Sequence, residues 1–165
     1  MSDFSFLKKY VLPSEHVKAP PEQKHIFYSL DEREIEEAEK RLNQKFPKEL
    51  REFYLQIGYG FMCKSGKNMF INRIMDPHSV ADLILGENIY EDYYLVDEIA
   101  EDPHLFPFFE VGDDSFIFLD LSKETKYYPV IWELFQVAYS LEQFLRKLDD
   151  QENYYLSYVD EEEVD

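Results

Sequence analysis

Apolar residues along this chain change their spacing several times, and each change predicts a different element. In "SLDEREIEEAEKRLNQKF" (residues 29–46), Ile35, Ala38 and Leu42 fall at i, i+3 and i+7, the spacing of one helical face. Ser29 or Asp31 can cap its start, the early acids suit a positive helix N-terminus, and Asn43 ends it. After Pro47, which a first helical turn tolerates, Leu50, Phe53, Tyr54 and Ile57 repeat at helical spacing until Gly58 stops them. The result is a helix pair with a tight connection.

Beyond Gly60 the period shortens. "GFMCK" and "NMFINRIM" read as strands joined across Ser65-Gly66. Asp76-Pro77 then opens a helix carrying Val80, Leu83 and Ile84, closed by Gly86. Residues 87–105 keep neither period and receive no assignment. Strands follow at about 106–111, 115–121 and 129–134, and a Ser140/Gln143 capping pair starts a last helix bearing Leu141, Phe144, Leu145 and Leu148. Ahead of all this, residues 4–12 read as a short helix and the proline-containing stretch 13–25 as a surface loop. Helices, then mainly antiparallel strands, then a helix make an α+β protein.

Composition narrows the function classes. A chain of 165 residues fits one domain with a real core, and thirteen Tyr and fourteen Phe against five Gly favour a compact, aromatic-rich one. Net charge of −18 repels nucleic-acid phosphate and anionic membrane, because binding either requires Lys or Arg, and it attracts basic proteins. Residues 149–165 hold eight acids and no base, so this stretch reads as an acidic tail. No apolar run reaches the ~18 residues of a membrane span, and the start lacks the pattern of a secretory leader. With Cys63 as the single cysteine, a reducing, cytoplasmic setting is expected.

Candidate chemistry is sparse. "FFEVGDDSFIFLDLS" (residues 108–122) puts Asp113 and Asp114 between two apolar runs. Neighbouring carboxylates on a strand point to opposite faces, and a hard cation wants more oxygen ligands, whereas Gly and Asp are common turn residues. The pair therefore reads as a corner, with a metal site as the alternative. Gly60, Gly66 and Lys67 echo a phosphate loop, but the spacing is one residue too long and Asn68 replaces the hydroxyl that would hold magnesium. His16, His25, His78 and His104 are scattered, Asp102 and His104 flank Pro103 in a loop, and Cys63 and Trp132 read as core. No catalytic residue, cofactor or metal is expected.

Three segments resemble a known family. "EIEEAEKRLNQKFPKELREFYLQIGYG" is similar to the opening of the SUKH superfamily, in the branch typified by the yeast cell-wall-assembly and killer-toxin-resistance regulator. The points of likeness are Ile35, Leu42, Phe46-Pro47, Leu50, Phe53 and the Gly58–Gly60 exit. "FFEVGDDSFIFLDLS" resembles its middle strands, and "PVIWEL" with "SLEQFLRKL" its closing strand and helix. The likeness covers about residues 30–148 and departs in having fewer glycines before the second strand pair. It implies a mixed, mainly antiparallel sheet with an N-terminal helix pair and a C-terminal helix packed on it. On this basis residues 1–148 form one domain with an extension at 1–29, followed by the tail at 149–165.

The resemblance also implies a use. Bacterial members are seen as immunity proteins that bind and neutralise toxins, often nucleases, and eukaryotic members as scaffolds in cell-wall signalling; neither role is catalytic. The first expectation is therefore an antitoxin for a basic toxin domain. A scaffold or regulatory protein is the alternative, and a metal-dependent hydrolase the remote one. The acidic, aromatic stretch Tyr90, Glu91, Asp92, Tyr93, Tyr94, Asp97, Glu98, Glu101 and Asp102 is the expected partner surface, offering steering charge and aromatic anchors.

Overall fold

A computed structural model of the chain describes residues 1–66, 68–123 and 126–158. Helix α1 (Glu32–Leu42) begins at Asp31, whose carboxylate accepts the Arg33 amide while the Glu34 side chain accepts the Asp31 amide. This reciprocal cap satisfies donors that a helix start leaves open. Asn43 ends α1 in the left-handed region (φ 52°), and helix α2 (Lys48–Gln56) follows with Pro47 just ahead of its first turn. Helix α3 (Pro77–Leu85) is capped by Asp76 through Ser79 and closed by Gly86.

Among the described residues eight strands form one sheet in sequence order: β1 (Val11–Leu12), β2 (Ile26–Tyr28), β3 (Tyr59–Phe61), β4 (Arg73–Ile74), β5 (Leu105–Gly112), β6 (Ser115–Asp120), β7 (Val130–Trp132) and β8 (Phe135–Ala138). Only β1 and β2 run parallel, so the expected α+β class with a mainly antiparallel sheet is what the chain forms. Strand alternation separates two faces. The paired row Phe27, Gly60, Ile74, Phe109, Ile117 and Trp132 faces inward and is buried. The neighbouring row Ile26, Phe61, Arg73 and Glu110 faces outward and is half-exposed.

Helices close the inner face. Phe53 of α2 meets Phe27 edge-on at 5.9 Å and Phe4 at 5.3 Å. Helix α5 (Leu141–Asp150) starts at Ser140, whose hydroxyl accepts the Gln143 amide, and lays Phe144 against Phe108 and Phe109. Buried Glu49 of α2 accepts the Leu141 and Glu142 amides and the Ser2 hydroxyl, tying α2, α5 and the N-terminus together.

Three expectations are corrected. The strands read at 60–64 and 68–75 pair only over β3 and β4; residues between them leave the ladder because the Asn68 side chain bonds the Cys63 carbonyl and the Phe70 amide. Lys67 of the phosphate-loop echo lies outside the described residues. The single strand read at 129–134 is two, because the chain reverses at Glu133-Leu134 to make β7 and β8. The short helix read at 4–12 is a 3₁₀ turn (Ser5–Tyr10) running into β1.

The acidic stretch drawn from Asp149 contributes to the core through buried Tyr154 and Tyr155. Within it, Asn153 accepts hydrogen bonds from Asn68 and Asn72, and residues 159–165 lie outside the described part.

One buried group here predicts a pH response. His25 is fully buried; its Nδ1 accepts the Cys63 amide (3.0 Å), so Nε2 carries the proton and donates to Asp149 (2.8 Å). Burial holds His25 below its ordinary value of 6.5, outweighing the carboxylate beside it. The unfolded imidazole therefore takes up a proton at higher pH than the native one, and stability falls as pH drops below about 6.5. Tm measured from pH 8 to 5 should show a steeper acid-side decline for the native chain than for His25→Gln. Parallel curves would show that another group sets the decline.

Candidate functional site

After Gly86 the chain crosses to the outer face of the sheet through a 3₁₀ turn (Asn88–Tyr90) and helix α4 (Leu95–Glu101). Helix α4 has no side-chain cap and no fully buried residue, so tertiary contacts rather than its own signals hold it. Tyr93 is the anchor. Its ring meets Phe116 edge-on at 6.5 Å and lies between Tyr90 (5.4 Å) and Tyr94 (5.3 Å). The Tyr93 hydroxyl donates to one oxygen of Asp114 (2.6 Å) and the Tyr94 hydroxyl to the other (3.1 Å). Burial, then the bond to Asp114, pushes the Tyr93 phenol well up, so it stays a donor at neutral pH.

Asp113 and Asp114 are a corner. Both have positive φ (49° and 61°), and Gly112 pairs with Ser115 across them, a two-residue hairpin loop. Among the described residues no group of three or more His, Cys, Asp or Glu is arranged for a metal ion. Other candidates are structural. Burial pushes the Cys63 thiol up to about 11, away from nucleophilic use. His78 bonds Arg41, His16 and His104 are exposed, and the Trp132 indole donates to Ser115 (3.0 Å).

Between α4 and the outer face of β6 and β7 lies a cleft of about 260 Å³. Its walls are apolar: Leu95 and Ile99 from α4, Phe116, Phe118 and Ile131 from the sheet. Glu98, Asp102, Asp114 and Glu133 stand at its rim, and none of the lining residues is basic. The carboxylates of Glu98, Asp102 and Glu133 have neither hydrogen bond nor ion pair among the described residues. Elsewhere Arg41 matches Asp82 and Glu87.

The structure sorts the expected partner surface. Glu98 and Asp102 line the cleft with Leu95 and Ile99, the i, i+3, i+4, i+7 face of α4; Asp97 and Glu101 point elsewhere and are exposed. Tyr93 and Tyr94 brace one end. Glu91 and Asp92 are exposed outside the cleft, and Tyr90, at 5% exposure, belongs to the core. Sequence reasoning missed the sheet contribution: Phe116, Phe118, Ile131, Asp114 and Glu133. Outward strand residues look like core in a one-dimensional pattern, and only the strand alternation marks them.

A profile of the SMI1 / KNR4 family (SUKH-1) matches residues 29–147. The chain belongs to that family. Within the curated proteins, this SUKH-1 chain is 40% identical over 139 residues to "Immunity protein YxxD" of Bacillus subtilis (strain 168), covering 82% of this chain and 91% of the relative. No solved structure matches it significantly. No helix among its described residues is long and apolar enough to cross a membrane.

Glu133 provides a direct test of the rim. It holds φ 56°, a region that costs an ordinary residue roughly 1–2 kcal/mol and glycine nothing. Glu133→Gly should therefore leave stability unchanged or raise it by up to about 1 kcal/mol, while removing a rim charge. Urea unfolding checks the first part; a midpoint lowered well beyond error would mean that the carboxylate has a stabilising partner.

Proposed function

We propose that this chain is a non-catalytic immunity protein of the cytoplasm, which binds a basic toxin domain and holds it inactive. The interface centres on the cleft between α4 and β6–β7. The observation that carries this reading is the meeting of an apolar hollow with three unpaired carboxylates. Apolar walls reward burial, and the uncompensated charge selects a cationic partner and speeds its approach. Family membership and the name of the Bacillus subtilis relative support the same role. The net charge of −18 favours a protein partner over nucleic acid or membrane.

The test is growth protection. Co-expression with a basic toxin domain encoded in the same genome should restore growth of a sensitive host. The purified pair should associate faster at low salt than at high salt. Neutralising the rim with Glu98→Gln, Asp102→Asn and Glu133→Gln should slow association and weaken binding at least about tenfold, as loss of several rim charges does. No protection by the native chain would move the weight to a scaffold role, and unchanged binding by the variant would place the interface elsewhere.

A further inference from the structure

Resting on the immunity reading of this cleft, we propose that its occupant is an arginine side chain projected by the partner. Size is the first argument. About 260 Å³ lies below the ~300–1,000 Å³ of sites that enclose a small-molecule ligand. It suits the end of one long side chain.

Chemistry is the second argument. A guest must lay an apolar stem along Leu95, Ile99 and Ile131 and present positive charge to Glu98, Asp102 and Glu133. Arginine and lysine both do this. The walls also carry the rings of Phe116 and Phe118, and a planar guanidinium stacks on aromatic faces and bridges carboxylates through two parallel hydrogen bonds. An ammonium is drawn to a ring face but cannot stack flat on it or bind a carboxylate through two parallel hydrogen bonds, so the site prefers arginine.

Charge excludes the competing occupants. A second copy of this chain would bring another −18 to an acidic rim. A bare metal ion would leave the apolar walls unused, and the described residues provide no cluster to hold one. The rim itself is built to stay open. Asp114 is held by Tyr93 and Tyr94, Glu133 sits on a tight reversal, and Leu134 beside it is 93% exposed, an apolar collar that can shed water when the partner arrives.

The experiment uses the full chain, labelled with ¹⁵N and titrated with Nα-acetyl-arginine methylamide. The matching citrulline, lysine and norleucine compounds serve as comparators. Arginine should give saturable shifts confined to residues 95–102, 114–118 and 131–133, with citrulline at least tenfold weaker and lysine between. Glu98→Gln/Asp102→Asn, at two exposed positions, should abolish the difference between arginine and citrulline. Shifts that are diffuse, that never saturate, or that are equal for arginine and citrulline overturn the proposal, and lysine binding as tightly as arginine overturns the preference for arginine. Growth protection separates the two readings. Protection with a silent arginine titration removes the anchor and keeps the immunity role. A localised arginine response without protection keeps the binding site and removes that role.

Discussion

Phe144→Ala should destabilise the protein by about 3–5 kcal/mol, the range for deleting a buried phenylalanine. Phe144 is fully buried where α5 meets the sheet, with its ring edge-on to Phe109 at 5.4 Å and to Phe108 at 5.9 Å. Tyr154 and Tyr155 close the other side at 6.0 and 6.3 Å. Four aromatic neighbours from β5 and the C-terminal turn cannot collapse far into the vacated space, so the cavity persists. Domains of this kind hold about 5–15 kcal/mol in total, which makes the expected loss a large share. Equilibrium urea unfolding followed by tyrosine and tryptophan fluorescence reads it as a lowered midpoint. A loss under about 1 kcal/mol would mean that the aromatic cluster repacks freely, contrary to its interlocked geometry.

Gly60→Ala should be as damaging, for a backbone reason. Gly60 has φ 156° and pairs between Phe27 and Ile74 in the inward row. A Cβ there would lie 2.0 Å from the Ile26 carbonyl oxygen and 2.8 Å from the Phe27 Cα, both main-chain atoms that a side-chain rotation cannot move. Relief requires separating β2 from β3. The expected cost is about 3 kcal/mol or more, and thermal unfolding of the variant should show it as a Tm drop of many degrees. Gly66→Ala is the matched comparison, because nothing stands within 4 Å of a Cβ there, although its φ of 75° adds a small penalty. Equal losses at the two positions would show that main-chain crowding is not the cause.

These two positions also show what could be read from sequence. Phe144 sits in a strict helical repeat behind a Ser140 cap, and α1, α2 and α3 were visible in the same way through Asp31, Asn43, Asp76-Pro77 and Gly86. Such elements carry their own start and stop signals. The β5–β6 hairpin was legible because Gly112-Asp113-Asp114 supplies residues that accept positive φ. Helix α4 was not, since its seven residues have no cap and bury nothing completely. The turn at Glu133-Leu134 was hidden because neither residue is a usual turn former, and β1, β2 and β4 are only two or three residues long. The candidate site was half legible for the same reason: Tyr93, Tyr94, Glu98 and Asp102 stand together in the chain, whereas Phe116, Phe118, Ile131 and Glu133 join them only through sheet register.

The order of the sheet has a kinetic consequence. From β2 to β8 every strand pairs with the one before it, and no later strand must be threaded between earlier ones. Contacts close in sequence keep the entropy of loop closure small, and chains rich in them fold faster than those dominated by distant pairings. The tight β5–β6 turn is a natural place for assembly to begin; β7 and β8 close through a second two-residue turn, whereas β4 reaches β5 only through α3 and α4. α5 then seals Phe109 and its row from water in the folded chain. In the role proposed above, assembly of each strand onto its predecessor would favour a chain that is ready before it meets a toxin.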